Sequence, residues 1–571
     1  MPYSLSRFRG RLWVGFLILI LAASFYDPSS ALAQGRPQGA PDIGSVTREA
    51  QEARPSQEPK RADPGLESSS SVAVPEAALG ESIFVRDFRL EELPYLKEAE
   101  IQQVLEPYKG KNLTMGQIEE ATAQVGALYR QKGYPVVQVY LPQQRAEDQV
   151  IVIRAVVGAF GANSVENSSL LADWFVANLV SSNFPAGKPV KRSDLERLVL
   201  LIGDLPGAGL PKINMGAGQV PGTTDFVIQV PRAARFSGFF SSDNMGSYYT
   251  GRWRFMAGVD VNSPFNLGDK LSVFGLTTET RGMNSLALNY ELPLNSRGLR
   301  LNLGFSEVYY RLGKDYDDLE ATGRSETFEA TLSYPIVRSA DRNFNVTFSL
   351  YHKRMEDRYG VFDLSLKSQS YSGKFGLSYE RWTTLFGKTL YTKTKAGLTY
   401  GNFSLPTEEQ REQDGTDGAF AYANLDFLAN LALTEKFSFS FTANGQKAID
   451  RKLDSSEQFG ISGANGVKAY RESVSSDNGY TIGGELRYRL PSIGSVDHYV
   501  GAFADHGYWR REEKVEGLKN SDTLADVGLS YYLNFPHFSL KTQLVRAVGS
   551  YPKEIRKDSE TYVIFNVVAF F

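Results

Sequence analysis

Residues 463–479, GANGVKAYRESVSSDNG, form the stretch of this sequence that is most suited to one specific contact. Lys468 lies between Val467 and Tyr470, within a segment whose composition is otherwise that of a polar loop. Glycines at both ends of the stretch permit tight reversals of the chain. A lone cation beside apolar and aromatic neighbours is suited to pairing with a carboxylate in a shielded place. The alternative is an ordinary solvated loop.

Residue groupings that could support catalysis are scarce. The four histidines, His352, His498, His506 and His537, are scattered without metal-ligand spacing. Asp505 and His506 are adjacent on a predicted strand, so their side chains point to opposite faces. The chain has no cysteine, and no glycine-rich phosphate loop followed by Lys and Ser or Thr occurs. We therefore expect no catalytic residue, no metal site and no cofactor.

The elements that position this loop are predicted to be β-strands. Beyond Pro231, apolar and polar residues alternate with period two, as in residues 299–305 (LRLNLGF), and we count sixteen such segments within residues 233–571. Short connections alternate with long polar ones such as 450–479. Together with a terminal Phe571, which we interpret as a barrel assembly signal, this pattern predicts an outer-membrane barrel of sixteen antiparallel strands. A soluble β-sandwich would explain the alternation but not the loop asymmetry.

Two α+β units precede the barrel, and their predicted order of elements is the same. Residues 82–157 and 158–232 each read as strand, helix, helix, strand, strand. The first helix of the second unit is predicted in SLLADWFVANLV. The second helix of each unit begins with a predicted capping box: Thr114 with Gln117, and Ser193 with Glu196.

The N-terminal region divides into three predicted parts. Three arginines, an apolar run at 12–23 and small residues around Ala31 predict a signal peptide over residues 1–33. A membrane anchor is the alternative, although spanning requires about 20 apolar residues. Residues 34–54 contain apolar side chains at helical spacing, which predicts a short amphipathic helix, with a segment of no fixed structure as the alternative. Residues 55–80 are a Pro- and Ser-rich linker.

After residue 34 the chain resembles the transporters of two-partner secretion, the TpsB family of ShlB- and FhaC-like hemolysin secretion/activation proteins. The α+β units resemble polypeptide-transport-associated (POTRA) domains in YRQKGYPVVQVYLPQQ and LERLVLLIGDLPG. Residues 467–470 resemble the family's Val-Arg-Gly-Tyr or Val-Arg-Ala-Tyr tetrad in the sixth external loop, with lysine in place of arginine. The stretch FADHG is similar to the strand segment whose aspartate contacts that tetrad. The resemblance implies a lock inside the lumen formed by Val467, Lys468, Ala469, Tyr470 and Asp505.

The resemblance also implies a function. It places the barrel in the outer membrane of a Gram-negative bacterium and the POTRA domains in the periplasm, where they capture an unfolded partner for threading through the barrel without ATP. The helix in 34–54 is implied to plug the pore. We expect three partners, a large secreted TpsA-like protein, the barrel assembly machinery and outer-membrane lipid, and no enzyme activity. A net charge of −3 gives no support for binding nucleic acid. The alternatives are an insertase of the same superfamily, which normally carries more POTRA domains, and a passive porin, which needs none.

Overall fold

The computed structural model describes residues 41–53, 82–145, 147–514, 519–549 and 559–571. The predicted signal peptide (1–33) and linker (55–80) lie outside these residues. No helix in the described ranges is long and apolar enough to cross a lipid bilayer. The predicted domain boundaries stay predictions.

Sixteen antiparallel strands of the described chain close into a barrel, because the last of them, Thr561–Phe570, pairs with the first, Phe236–Asp243. The prediction of a sixteen-stranded antiparallel barrel is therefore confirmed. The strands are β9 Phe236–Asp243, β10 Arg254–Asn262, β11 Lys270–Thr278, β12 Met283–Pro293, β13 Arg300–Arg311, β14 Ala321–Arg338, β15 Arg342–Tyr359, β16 Leu364–Leu385, β17 Lys388–Ser404, β18 Gly418–Ala432, β19 Phe437–Ala448, β22 Asn478–Arg489, β23 Asp497–Arg510, β24 Ser521–Asn534, β25 Phe538–Val548 and β26 Thr561–Phe570.

Side chains alternate between the two faces of the barrel wall. On β10, Phe255 and Val259 are exposed on the outer face, whereas Arg254 and Met256 are buried on the inner face. An outward apolar band and a more polar interior are what a strand requires when lipid lies on one side and a lumen on the other. The two-residue alternation of the sequence thus corresponds to the alternation of outward and inward side chains in the barrel wall.

The first α+β unit contains β1 Ile83–Val85, β2 Asp87–Glu91, α2 Glu98–Leu105, a 3₁₀ turn at Glu106–Tyr108, β3 Lys111–Leu113, α3 Met115–Gln131, β4 Val137–Tyr140 and β5 Val150–Val157. Its main sheet has the order β2-β5-β4, and β1 pairs separately with β3. The predicted capping box of α3 is confirmed: Thr114 Oγ1 accepts from the Gln117 N–H at 3.4 Å, and Gln117 Oε1 accepts from the Thr114 N–H at 2.9 Å.

The second unit contains β6 Ala159–Asn167, α4 Asp173–Asn183, α5 Arg192–Gly203, β7 Lys212–Ala217 and β8 Thr223–Val230, with the sheet order β6-β8-β7. The predicted capping box at Ser193 is wrong, because α5 begins at Arg192 and its N-cap, Lys191, makes no side-chain capping bond within the described chain. Glu196 instead accepts from the Ala340 N–H of the barrel at 2.6 Å. Helix α4 begins at Asp173, later than predicted, because the Ala172 N–H, which would close the first turn of a helix starting at Ser169, donates instead to Asn266 O at 2.8 Å.

The second unit is fixed to one end of the barrel, which we call the domain-side rim and define by the turns after β10, β12 and β14. Arg338 donates to both carboxylate oxygens of Asp204 at 2.7 Å each. Arg197 donates to the carbonyl oxygens of Arg297 and Pro335, both at 3.0 Å. A planar guanidinium that makes two bonds to a carboxylate sets orientation as well as distance. The unit is therefore held in one orientation against the barrel.

Helix α1, Ile43–Glu52, lies inside the barrel. Its first turn is closed by a capping box in which Asp42 Oδ1 accepts from the Ser45 N–H at 2.9 Å and Ser45 Oγ accepts from the Asp42 N–H at 3.1 Å. Its apolar stripe, Ile43, Val46 and Ala50, is buried in a cluster with inward-facing side chains of β10 to β15, which include Met256, Phe274, Met283, Val308, Tyr310 and Met355.

Candidate functional site in the barrel lumen

The loop between β19 and β22 folds into the lumen rather than away from the barrel. It contains a small hairpin, β20 Phe459–Gly460 and β21 Ser475–Ser476. The chain reverses tightly beyond β20, where the Val467 N–H donates to Ile461 O at 2.9 Å. A Cβ atom at Gly466 would lie 2.1 Å from Ile461 O, so this reversal needs glycine.

The structure brings the four tetrad residues to the wall formed by β23 to β26. Val467, Ala469 and Tyr470 are buried in one cluster, packed against Phe503, Trp509, Leu524, Val545 and Ile564. The Lys468 ammonium forms an ion pair with Asp505, and its nitrogen lies 4.9 Å from the centroid of the Phe503 ring. The five residues singled out from the sequence therefore meet at one place in the lumen.

Two wall residues that the sequence analysis missed complete this contact. Asp526 lies directly across from Asp505 in the pairing of β23 with β24, and it accepts from the Ala469 N–H at 2.7 Å. The Tyr562 hydroxyl donates to Lys468 O. Lys468 thus lies beside two facing carboxylates. In the sequence Asp526 is simply one of the polar positions of the alternating strand β24, and its link to Lys468 is not local, so no local signal singled it out.

Glu472 holds the returning arm of the loop to the connection between β9 and β10. Its carboxylate accepts from the Ser247 hydroxyl at 2.6 Å and from the Tyr248 N–H at 3.0 Å. The Arg252 guanidinium lies 3.0 Å from the same carboxylate. The loop is therefore anchored at its tip by Lys468 and, a few residues later, by Glu472.

Helix α1 and the loop contact each other across the lumen. Arg48 Nη1 donates to the carbonyl oxygens of Ser455 at 2.8 Å and Gln458 at 3.0 Å. A Cβ at Gly44 would lie 2.3 Å from Ser455 Oγ, so the close approach requires glycine on the helix. On the wall side, the Ile43 N–H donates to Asp357 Oδ1 at 3.0 Å. Helix α1 is thus wedged between the loop and the wall.

Glu49 of α1 lies in a mostly acidic environment. Arg254 of β10 lies 3.5 Å away but already donates two bonds to Asp243 of β9, at 2.8 and 2.9 Å. Burial raises the pKa of Glu49 to about 7; the nearby Arg254 lowers it, and the charges of Glu472 and Asp243 add to the rise. Within α1, burial also raises the pKa of Glu52. The helix therefore carries two carboxyl groups that are more easily protonated when it is in place.

A polar cavity of about 760 Å³ lies in the lumen next to the loop tip. Charged side chains of both signs line it: Glu380, Lys393, Lys395, Asp426, Lys468, Glu485, Arg487, Asp505 and Lys541. A second cavity, of about 370 Å³, borders α1. Among the residues that the structure describes, no group of three or more His, Asp or Glu side chains is arranged to hold a metal ion.

Phe571 extends the pairing that closes the barrel. Its N–H donates to Gly238 O at 3.1 Å, and its carbonyl oxygen accepts from the Gly238 N–H at 3.0 Å. The register between β26 and β9 runs only from Asn566 with Asp243 to Phe570 with Phe239. Phe571 therefore adds two backbone hydrogen bonds to the short pairing of β9 with β26, which we call the seam.

Comparison with known proteins identifies the same two parts of the chain. Residues 222–531 match the family described as haemolysin secretion/activation protein ShlB/FhaC/HecB. Residues 83–158 match the POTRA domain of ShlB type. The first match spans more than half of the 571-residue chain.

Individual relatives match most of the chain. It is 27% identical over 446 residues to the heme/hemopexin transporter protein HuxB of Haemophilus influenzae, which covers 76% of this chain and 78% of that protein. It is 20% identical over 454 residues to the outer membrane transporter CdiB of Dickeya dadantii, with coverage of 76% and 78%. The solved structure of CdiB from Escherichia coli has the same fold, with a TM-score of 0.70 at 20% identity over 92% of this chain and 95% of that one. The chain therefore belongs to the haemolysin secretion/activation protein family ShlB/FhaC/HecB.

Proposed function

We propose that this protein is an outer-membrane transporter that passes a partner protein from the periplasm through its barrel to the cell surface. The family match and the fold support this function. The structural observation that carries it is the content of the lumen. Helix α1 and the inward loop occupy the lumen, and beside them lies a polar cavity with charges of both signs. An extended polypeptide needs polar partners for its backbone, and this cavity supplies such partners beside the loop tip.

Capture of the partner is assigned to the two α+β units in the periplasm. Among the described strands, β7 (Lys212–Ala217) pairs with β8 alone, and most of its residues are exposed. An extended segment can add to such an edge through backbone hydrogen bonds, with little dependence on sequence. The edge belongs to the unit that is bonded to the barrel, so a segment bound there is already near the domain-side rim. No ATP is required for this capture.

Helix α1 is assigned the role of a plug, and the Lys468 tip that of a lock on the loop. The helix is short, and its described polar contacts with the rest of the chain are limited to the bond of the Ile43 N–H to Asp357, the bonds of Arg48, the ion pair of Glu49 with Arg254 and a bond from Asn465 to Glu52 O. An entering chain could replace these contacts one by one. We assign three partners: a large secreted protein of the TpsA type, the barrel assembly machinery, which would recognise Phe571, and lipid around the outer face.

The two alternatives, a passive porin and an insertase, require different properties of the protein. A passive porin needs a continuously open channel, whereas here two elements of the same chain occupy the lumen. An insertase acts on the outer-membrane proteins of the cell as a group, whereas a secretion transporter serves a particular partner.

The experiment is removal of the gene, followed by comparison of periplasm, outer membrane and culture medium. We expect one large secreted protein to disappear from the cell surface and medium and to be retained or degraded in the periplasm, while the porins of the outer membrane stay at normal levels. Restoring the gene reverses the effect. A general loss of outer-membrane proteins would instead identify an insertase, and no change in any secreted protein would contradict a role in secretion.

A further inference from the structure

Helix α4 runs along the domain-side rim and is bonded to it at both ends. Just before its first residue, the Ala172 N–H donates to Asn266 O at 2.8 Å, in the turn between β10 and β11. At its last residue, Asn183 Nδ2 donates to Ser296 O at 2.9 Å, in the turn between β12 and β13. Eleven helical residues span about 16 Å. The helix is thus fixed to two turns at the ends of membrane-spanning strands.

The first of these turns carries part of the outward-facing aromatic belt of the barrel. Phe265, next to Asn266, is 68% exposed and packs edge-on against Tyr290, with the ring centroids 6.1 Å apart. By the alternation of β12, Tyr290 faces the same side as Leu286 and Leu288, which are exposed on the outer face. Aromatic side chains at strand ends lie at the level of the lipid headgroups. Phe265 therefore marks that level at the domain-side rim.

The exposed face of α4 differs from that of an ordinary water-facing helix. Trp174, in its first turn, is 64% exposed. The carboxylate of Asp173, which is the only charged residue in the helix, accepts from Asn167 Nδ2 at 2.8 Å. The next exposed positions are uncharged: Ala177, Asn178, Ser181 and Ser182. The neighbouring helix α5 has four charged side chains in its first six residues: Arg192, Asp194, Glu196 and Arg197.

We propose that this face of α4, led by Trp174, rests in the headgroup region of the periplasmic phospholipid leaflet. Tryptophan suits this position because its ring is apolar and its N–H can bond to water or a headgroup. The partner is a lipid surface, because the helix is bonded to the turn whose Phe265 belongs to the lipid-facing belt. The second α+β unit would then be held by the barrel turns and by the membrane at once. This inference does not depend on what the protein secretes.

The test uses the full-length protein in phospholipid vesicles that carry a nitroxide on lipid headgroups in both leaflets. The chain has no cysteine, so each introduced cysteine can be labelled alone with a fluorophore. We expect lipid quenching at Trp174→Cys to be close to that at Phe265→Cys in the belt. Val220→Cys is the matched control, because Val220 is also 64% exposed. It lies near the opposite end of the unit, where Ala159 N–H donates to Gly222 O at 2.9 Å, and should show background quenching.

Equal quenching at positions 174 and 220 would overturn the proposal. The exposed face of α4 would then contact water, a second copy of this chain or a secreted protein instead of lipid. A second measurement separates the role of Trp174 from mere proximity to the membrane. With the label at Ala177→Cys, we expect Trp174→Glu to abolish most of the lipid quenching, and an unchanged signal would overturn the proposed anchor. Because Trp174 is exposed, these changes spare the core, and heat-modifiable migration on gels verifies that each barrel is folded.

Discussion

Lys468 lies where a cation is needed, because Asp505 and Asp526 face each other on neighbouring strands. The side chains of Lys468 and Asp505 are only 17% and 9% exposed, so the pair is shielded from solvent. In such a place the cost of removing one partner exceeds the benefit of the pair itself, since the other charge stays buried without compensation. The contact is therefore better understood as fixing the position of the loop than as a source of bulk stability.

Replacing either partner should release the loop while the barrel still forms. We expect Lys468→Ala and Asp505→Ala each to weaken docking of the loop by about 3–5 kcal/mol, the cost of leaving one member of a shielded ion pair without its partner. Secretion should fall sharply, and heat-modifiable migration should persist. The double variant should be little worse than either single one, because both act through one contact.

Lys468→Arg is the matched control, because it keeps the charge beside both carboxylates and over the Phe503 ring. It should secrete nearly as well as the unaltered protein. Normal secretion by a folded Lys468→Ala barrel would show that residues 467–470 form an ordinary loop.

Glu49 should make docking of α1 depend on pH. Its pKa is raised from 4.5 to about 7 when the helix is in place, so the docked state binds the proton more tightly. The resulting stabilisation is fully present below about pH 4.5 and is lost as the pH rises through about 7. Conductance in planar bilayers should therefore increase between roughly pH 5 and pH 8. Because the pKa of Glu52 is raised too, the control is Glu49→Gln with Glu52→Gln, which should give a flat profile.

The contribution of sequence reasoning to this site differed from residue to residue. Lys468 could be singled out from its own neighbours, but Asp505 was identified only through resemblance to a family, since 37 residues separate the two. Asp526 and Tyr562 were missed because their contacts with the loop tip depend on the order of strands around the barrel. The role of a residue can be inferred from its sequence neighbours only when its partner is also close in sequence.

At the level of elements, the same two-residue signal succeeded once and failed once. Thr114 caps α3 because Gln117 is free to reach back to it. Ser193 does not cap α5, because Glu196, its expected partner, accepts instead from the Ala340 N–H in a barrel turn. A local capping bond is worth about 1 kcal/mol, so a tertiary contact of similar strength can replace it. The prediction of the barrel strands was free of this ambiguity, because sixteen segments show the same two-residue period and each supports the assignment of the others.

Removing α1 should open the lumen without stopping secretion. Deletion of residues 34–54 takes away the helix that packs against β10 to β15, so we expect higher ion conductance in planar bilayers. Secretion should continue, because a plug must leave during transport in any case.

A pair of point variants tests the same element with less disruption. Ala50→Asp places a charge on the buried face of α1 and should raise conductance, whereas Gln51→Asp, on the exposed face, should not. Conductance unchanged by both the deletion and Ala50→Asp would contradict the assignment of α1 as a plug.

At the scale of the whole molecule, closure of the barrel should depend on Gly238. A Cβ there would lie 2.4 Å from the Phe571 ring and 2.6 Å from Gly258 O, so Gly238→Ala should impair the seam between β9 and β26. Gly275→Ala is the matched control, because a Cβ at this other strand glycine meets nothing closer than 3.9 Å. We expect a lower yield of heat-modifiable barrel for the first variant and a normal yield for the second. Equal yields would show that the seam adjusts to the added methyl group.

The seam also determines when folding can finish. Phe565 N–H donates to Asn244 Oδ1 across it, and these residues are 321 positions apart in the chain. Contacts between such distant residues carry the largest loop-closure entropy and form slowly. Until β26 arrives, β9 waits as an open sheet edge whose backbone groups can pair with any extended chain nearby. β9 is thus the first barrel strand to be synthesised and the last to have both of its edges hydrogen-bonded. Its open edge can aggregate with other chains until the whole chain has arrived.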